Sequence, residues 1–298
     1  MAKEDIICHT NRMKIQYVSD IHLETMESKN FKAFLIPNAP YLALCGDIGY
    51  PRSQIFKEFI EYCSKNWTLI FYVTGNHDYY NKIHTRWKYS PPYSMIQVEE
   101  YVETLFSNYP NCHYLQKRQI DIPNTNYSIL GCTLWTNVPV NKYLDCLTHL
   151  NDVNYISIDG IKRFSPEYNN ILHKDHCYWL TLKLDYLKCL GRKAIVLTHH
   201  LPTHLLINEK YINDPLNYLF YTELSDNLQS EALQSWICGH SHANKRILYR
   251  KNVELMMNCK GYSGEKITDF NPSCIYEIKE NVNQGKEGET ETEAVEFI

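Results

Sequence analysis

Five short apolar runs in this chain each break off into a cluster of polar, metal-binding residue types. "MKIQYVSDIH" ends on Asp20 and His22, and "YLALCGD" ends on Asp47. "LIFYVTGNHD" ends on Asn76, His77 and Asp78, "KAIVLTHH" on His199 and His200, and "SWICGHSH" on His240 and His242. The apolar runs read as buried strands. In α/β sheets, loops at the carboxyl ends of strands carry the site, because the strands hold them rigidly. The pattern therefore predicts that all five clusters converge on one place.

Between the runs lie segments of helical spacing. Ile55, Phe56, Phe59, Ile60 and Cys63 recur with a helix period behind a Ser N-cap, and a second amphipathic helix is predicted near 95–107. "YWLTLKLDYLKCL" (178–190) reads as a third helix, "FKAFL" after Asn30 as helical, and 216–235 as loosely helical. "YSILGCTLW" reads as a strand, residues 137–170 as polar and irregular, and "RILYRKNVELMMN" with "SCIYEIKE" as a terminal β meander. Strands alternating with helices, then strands late, predict mixed sheets covered by helices. The expected organisation is a leader over 1–12, one domain over 13–280 and a flexible acidic tail over 281–298.

The chain has 298 residues, enough for one large α/β domain or two small ones. A net charge of −4 gives no support for broad electrostatic binding of nucleic acid. Eleven cysteines occur, without a C-x-x-C pair and several inside apolar runs. They read as buried free thiols in a reducing compartment. The N-terminus has no apolar signal segment, and no run approaches the length of a membrane span. The expectation is a cytoplasmic protein.

The residue types at the strand ends fit a two-metal site. Divalent cations between hard and borderline take Asp oxygen, Asn carbonyl oxygen and His nitrogen. A carboxylate can bridge two metals about 3.5–4 Å apart. Asp-x-His and His-x-His put two side chains on one side of an extended segment. Gly46, Gly75 and Gly239 each precede a proposed ligand, where the backbone must turn and approach closely.

In this order, D-x-H, G-D, G-N-H-D, H and G-H-x-H, the blocks resemble the calcineurin-like metallophosphoesterase superfamily. "GCTLWT" (131–136), "HLND" (149–152), "THHLPT" (198–203) and "NCKGY" (258–262) resemble a bacterial-type group within it. The resemblance implies a four-layer sandwich of two mixed β-sheets flanked by helices, with metals at one edge. It implies that Asp20, His22 and His242 hold one cation, that Asp47 bridges, and that Asn76, His240 and one of the paired histidines hold another. His199 is the expected ligand of the pair, with His200 behind it and a direct role for His200 as the alternative. The cations expected are two, Mn first, with Fe, Zn, Ni or Co as substitutes.

On the same resemblance His77 is no ligand but faces substrate, and Asp78 orients its ring. Asn151 and Asp152 are expected close behind the pocket. Trp135 is expected as a wall of the site or as core, and Tyr262 as pocket-lining. The implied activity is hydrolysis of a phosphodiester or small organophosphate by metal-bound hydroxide, with His77 as general acid. Protein phosphatases of the superfamily carry G-D-x-x-D-R-G, whereas this chain reads "GDIGYPRSQ", so Arg52 is expected in a solvated loop. Two other readings remain open. One is a nuclease on the same site, for which "NKIHTRWKY" (81–89) is the single basic-aromatic patch. The other is a silent binding scaffold on this fold.

Overall fold

The computed structural model describes residues 13–26, 28–81, 92–250 and 252–278. The expected leader and tail, and most of the basic-aromatic patch, lie outside the described residues. Two sheets face each other. One has the order β11-β1-β2-β3-β4, built from β1 (Lys14–Val18), β2 (Tyr41–Cys45), β3 (Leu69–Val73), β4 (Cys112–Tyr114) and β11 (Ile275–Glu277). The other has the order β5-β6-β7-β8-β10-β9, built from β5 (Arg118–Asp121), β6 (Tyr127–Cys132), β7 (Lys193–Thr198), β8 (Leu233–Cys238), β9 (Asn244–Arg250) and β10 (Val253–Asn258). Both are mixed: β1 to β4 are parallel with β11 antiparallel, and β6, β7, β8 and β10 are parallel with β5 and β9 antiparallel.

The period-two rule sorts each strand's side chains between two cores. In β2, Ala43 and Cys45 face the second sheet, with Phe71 and Val73 from β3 and Ile195 and Leu197 from β7. Leu42 and Leu44 face outward onto α1 (Gln54–Asn66) and α2 (Met95–Phe106), through Phe56, Phe59, Ile60, Val102 and Phe106. Across the molecule, Leu130, Val196 and Trp236 face Leu180, Leu184 and Leu187 of α5 (Pro166–Cys189). Both faces of both sheets are thus covered, in four layers. That is why the strands read as nearly continuous apolar runs. Ser53 caps α1 by accepting from Phe56 N, and Ser94 with Gln97 forms a capping box on α2.

Several sequence expectations are corrected. "FKAFL" supplies a single 3-10 turn, Phe31–Ala33. The stretch 137–170 holds α3 (Tyr143–His149), α4 (Asp152–Tyr155) and the start of α5. In 216–235 only α6 (Ser225–Gln229) is α-helical, and β8 begins at Leu233. The terminal strands are no meander: β9 and β10 form a hairpin, but β11 crosses to the other sheet and pairs with β1. The strands β4 and β5 are too short to leave a periodic signal.

The N-terminal half of α5 escapes the apolar pattern because its buried side chains are polar: Asn169, Asn170, His173 and His176. They serve the backbone after β6. His176 Nδ1 accepts from Leu134 N at 3.0 Å, Asn170 Oδ1 accepts from Val138 N at 2.7 Å, and its Nδ2 donates to Val138 O at 2.8 Å. Leu134 and Trp135 both have positive φ, 76° and 57°, a conformation that non-glycine residues hold only when their surroundings fix it.

His176 gives a pH prediction. Burial, only partly opposed by Asp175, pushes its pKa from 6.5 down to about 3. Between those values the unfolded chain binds the proton and the folded one does not, so stability is lost as pH falls below about 6.5. Urea unfolding of the wild type should show a loss between pH 7 and 5 that exceeds that of His176→Asn by about 1–2 kcal/mol. The asparagine amide oxygen can still accept from Leu134 N. Equal losses would show that His176 is not the acid-sensitive group.

Candidate metal centre

All five clusters meet at one edge of the sandwich, where the parallel strands end. Asp20, His22 and His242 form one group of potential ligand atoms, and Asp47, His199 and His240 form another, each within 4.8 Å. The approach does not follow strand alternation. Asp20, His22, Asp47, His240 and His242 all adopt positive φ, between 47° and 73°. At these five residues the chain kinks instead of running extended, whereas Asn76 is right-handed helical at φ −70°. Kinks of this kind in non-glycine residues cost of order 1–3 kcal/mol each and persist where packing over-determines them. The preceding glycines are needed for space. A Cβ on Gly75 would stand 2.1 Å from Asp47 Oδ1, and one on Gly46 would stand 2.4 Å from His199 Nδ1.

The hydrogen bonds assign the ring nitrogens. His22 Nδ1 faces Glu24 Oε1 at 3.0 Å, and His242 Nδ1 faces Glu265 Oε2 at 2.5 Å. His199 Nδ1 donates to Cys45 O at 3.0 Å, and His240 Nε2 donates to Leu219 O at 3.3 Å. Each imidazole thus spends its N–H outward and turns its remaining nitrogen inward. His22 Nε2 and His242 Nε2 are 3.2 Å apart, and His199 Nε2 lies 3.1 Å from His240 Nδ1 and 3.0 Å from Asn76 Oδ1. Asn76 turns its oxygen inward because its Nδ2 donates to Asp152 Oδ1 at 2.9 Å.

Lone pairs facing one another at such distances repel unless a cation or a proton lies between them. About 3 Å is also the separation of adjacent ligand atoms around an octahedral cation with bonds of about 2.1 Å. The donor set therefore fits two divalent cations of the N/O-binding kind. Asp47 Oδ2 lies 3.3 Å from His199 Nε2 and 3.9 Å from His22 Nε2, so one oxygen faces both groups. Its Oδ1 accepts from His77 N at 2.8 Å.

The charges follow from the same contacts. Burial opposes ionisation of Asp47, yet the His199 and His77 imidazoles hold its carboxyl well below the usual range. His242 is pushed up to about 9, where Asp20 and Glu265 overcome burial, and Asp47 does the same for His199, also to about 9. Burial, with His199 alongside, pushes His240 down to about 3.

His77 stands in front of this set. Its ring stacks on Tyr80 with centroids 4.1 Å apart, and its Nε2 is 3.3 Å from the Tyr262 hydroxyl. Burial lowers its pKa, with Asp47 pulling the other way. Asp78 does not orient the ring through a hydrogen bond, contrary to expectation. Its carboxylate accepts from the backbone N–H groups of Gly75 at 2.7 Å, Asp47 at 2.9 Å and Gly49 at 3.1 Å. The 3-10 turn His77–Tyr79, with Asp78 at its centre, points the carboxylate back under the two ligand loops, so it ties them together. Burial and Asp47 raise its pKa to about 8, against the Gly75 and Gly49 donors.

His200 lies outside both groups. Its Nδ1 faces Thr133 O at 3.3 Å and its ring packs against Trp135 and His240. Trp135 is fully buried among Tyr79 and Phe164, a core residue behind the site. Arg52 is exposed but not simply solvated: its guanidinium lies 3.7 Å over the Tyr93 ring. A cavity of about 610 Å³ opens over the centre. Asn151, Asp152 and Tyr262 line it, and Tyr80 reaches Asp152 Oδ1 at 2.6 Å.

Glu24, Glu265, Tyr80 and Phe220 are absent from the sequence reading. Glu24 had a signal, since it follows His22 at the same spacing that separates Asp20 from His22. Glu265 and Phe220 lie in loops with no pattern of their own.

Two mixed sheets between helices, with groups of potential metal ligands gathered at the strand ends, define a metallophosphoesterase fold. The profile of the calcineurin-like phosphoesterases matches residues 13–244, and the chain belongs to that family. An uncharacterized protein of Acanthamoeba polyphaga mimivirus is 31% identical over 286 residues, 89% of this chain and 96% of that protein. Among solved structures, the phosphopantetheinyl hydrolase of Mycobacterium tuberculosis superposes with a TM-score of 0.63 at 13% identity, over 84% of this chain and 90% of that one. At that identity the likeness speaks for the fold. Among the described residues, no helix is long and apolar enough to cross a membrane.

Proposed function

We propose that this chain is a dinuclear metal-dependent phosphoesterase acting on phosphodiesters or small organophosphates. The observation that carries the reading is the pair of inward-facing ligand groups with Asp47 Oδ2 between them. Asp20, His22 and His242 would hold one cation, and Asn76, His199 and His240 the other. When bound, two such cations supply an activated water and neutralise phosphoryl charge, and Mn is the first choice among Mn, Fe, Zn, Ni and Co.

The chain's own residues do the rest. His77 faces the cavity, and as imidazolium it would sit over the Tyr80 ring, which favours the cation. Its Nε2–H, 3.3 Å from the Tyr262 hydroxyl, would pass a proton to the leaving oxygen. Asp152 holds the Asn76 amide with its oxygen inward. Asp78 holds the two ligand loops in register. On one side the cavity is walled by Leu150, Leu216, Leu219 and Phe220, which suits an ester with an apolar arm. The absent G-D-x-x-D-R-G block and the engagement of Arg52 with Tyr93 speak against a phosphoprotein substrate. The full ligand set speaks against a silent scaffold. The ten cysteines among the described residues are free and mostly buried, which supports a reducing, cytoplasmic compartment.

The test is metal analysis with turnover of bis-p-nitrophenyl phosphate. About two divalent cations per chain are expected after reconstitution with Mn²⁺, and turnover should be lost on chelation and restored by the metal. At most a trace of metal, with no turnover after reconstitution, would overturn the reading.

A further inference from the structure

The two halves of the centre are backed differently. In the Asp20 half, both imidazoles give their outer N–H to carboxylates: His22 to Glu24 and His242 to Glu265. In the other half, both give it to neutral carbonyls, His199 to Cys45 O and His240 to Leu219 O. That half does carry Asp152, but Asp152 accepts from the amide of Asn76, whose inward oxygen is neutral.

We infer that Glu24 and Glu265 are positioning residues that make the Asp20–His22–His242 half hold its cation more tightly than the Asn76–His199–His240 half. A carboxylate behind an imidazole fixes the tautomer, raises the basicity of the inward nitrogen and adds negative charge near the cation. Glu24 is nearly buried, with its Oε2 buried and without a hydrogen-bond partner among the described residues, so its charge is not dispersed by other donors.

Glu265 sits on a short loop that braces the same half from a second direction. Gly261, at φ +75°, donates its N–H to Asp20 O at 2.8 Å. Tyr262, next in the chain, stacks on the His22 ring with centroids 4.1 Å apart. Glu265 then closes onto His242, and its other oxygen is 3.6 Å from Lys210 Nζ. Residues 261–265 thus touch all three proposed ligands of one cation.

The inference rests on the dinuclear reading, and its test uses metal retention in place of turnover. The protein would be loaded with two equivalents of ¹¹³Cd²⁺, titrated with a competing chelator, and followed by ¹¹³Cd NMR. The wild type should show two resonances, one of which survives to higher chelator. Glu265→Gln and Glu24→Gln keep an oxygen that accepts from Nδ1–H but remove the charge. Each should weaken the surviving ion by roughly 10–100-fold and shift its resonance, leaving the first-released ion unmoved. Glu265→Asp should recover part of the loss. Circular dichroism of the metal-free variants should match that of the metal-free wild type, which shows that the fold is kept. If Glu24→Gln fails to fold, Glu265→Gln on the more exposed loop carries the test.

Release of both ions in one step from the wild type, or an equal effect of the variants on both ions, would overturn the inference while leaving the dinuclear reading intact. A single bound ion, or none, would overturn both.

Discussion

Asp47→Asn is expected to lose metal and activity together. Asp47 Oδ1 accepts the His77 N–H, and Oδ2 is the atom that faces both ligand groups. An asparagine that keeps the first contact presents an NH₂ donor where Oδ2 stood, and that group has no lone pair for a cation. Flipping the amide sets NH₂ against the His77 N–H inside the protein, donor against donor. The affinity of the pair should therefore fall by more than the roughly 10–100-fold that loss of an outer-shell partner costs. Elemental analysis after gel filtration, with circular dichroism of the metal-free form as the folding control, reads this directly. A variant that kept two ions and near-normal turnover would remove Asp47 from the bridging role.

His77→Ala should do the opposite: keep the metals and lose the rate. What His77 gives the ligand set is its backbone N–H to Asp47, and alanine retains that donor. The ring packs edge-on against His22, with centroids 4.8 Å apart, but lies on the cavity side between Tyr80 and Tyr262 and belongs to neither of the two proposed ligand sets. As general acid it should be worth roughly 10²–10⁴ in kcat on an alkyl ester. The loss should be smaller on a p-nitrophenyl ester, whose leaving group needs little protonation. His77 also lies within reach of His22 and Glu24. If the variant emptied the centre, His77 would be a ligand and the assignment of Asn76 would fall. Normal rates on the alkyl ester would end the acid role.

The two variants bear on different links. Asp47 tests whether the geometry is a metal centre at all. His77 tests whether the chemistry belongs to a residue that the geometry places in front of it. The metal-retention experiment on Glu24 and Glu265 then asks how the two halves differ.

How legible all this was depends on where the signal resides. Strands such as "YLALCGD" announced themselves because four layers bury both faces, and the ligand types stood at their ends. Helices whose buried face is apolar, α1 and α2, were equally plain. The first half of α5 was not, since it buries Asn169, Asn170, His173 and His176 to satisfy the backbone after β6. A polar residue buried for its hydrogen bonds looks in sequence like an exposed one.

The choice between His199 and His200 lay beyond the sequence for a similar reason. Two adjacent histidines have one composition, and only the turn after β7 aims the first at Asp47 and the second at Trp135. The family resemblance implies that Asp78 orients His77, whereas the 3-10 turn His77–Tyr79 carries its carboxylate to three backbone amides. Glu265 was invisible, because its partner His242 is 23 residues away and nothing local specifies the pair.

The sequence by itself determined the layered α/β class, the strand ends as the site and the types of atom that meet there. Those follow from local burial and residue chemistry. The tertiary structure alone decided which nitrogen of each imidazole faces inward, which oxygen of Asp47 faces both groups, and which carboxylates stand behind them. Those depend on contacts between segments far apart in the chain, and a hydrogen bond's direction is fixed only when both of its partners are in place.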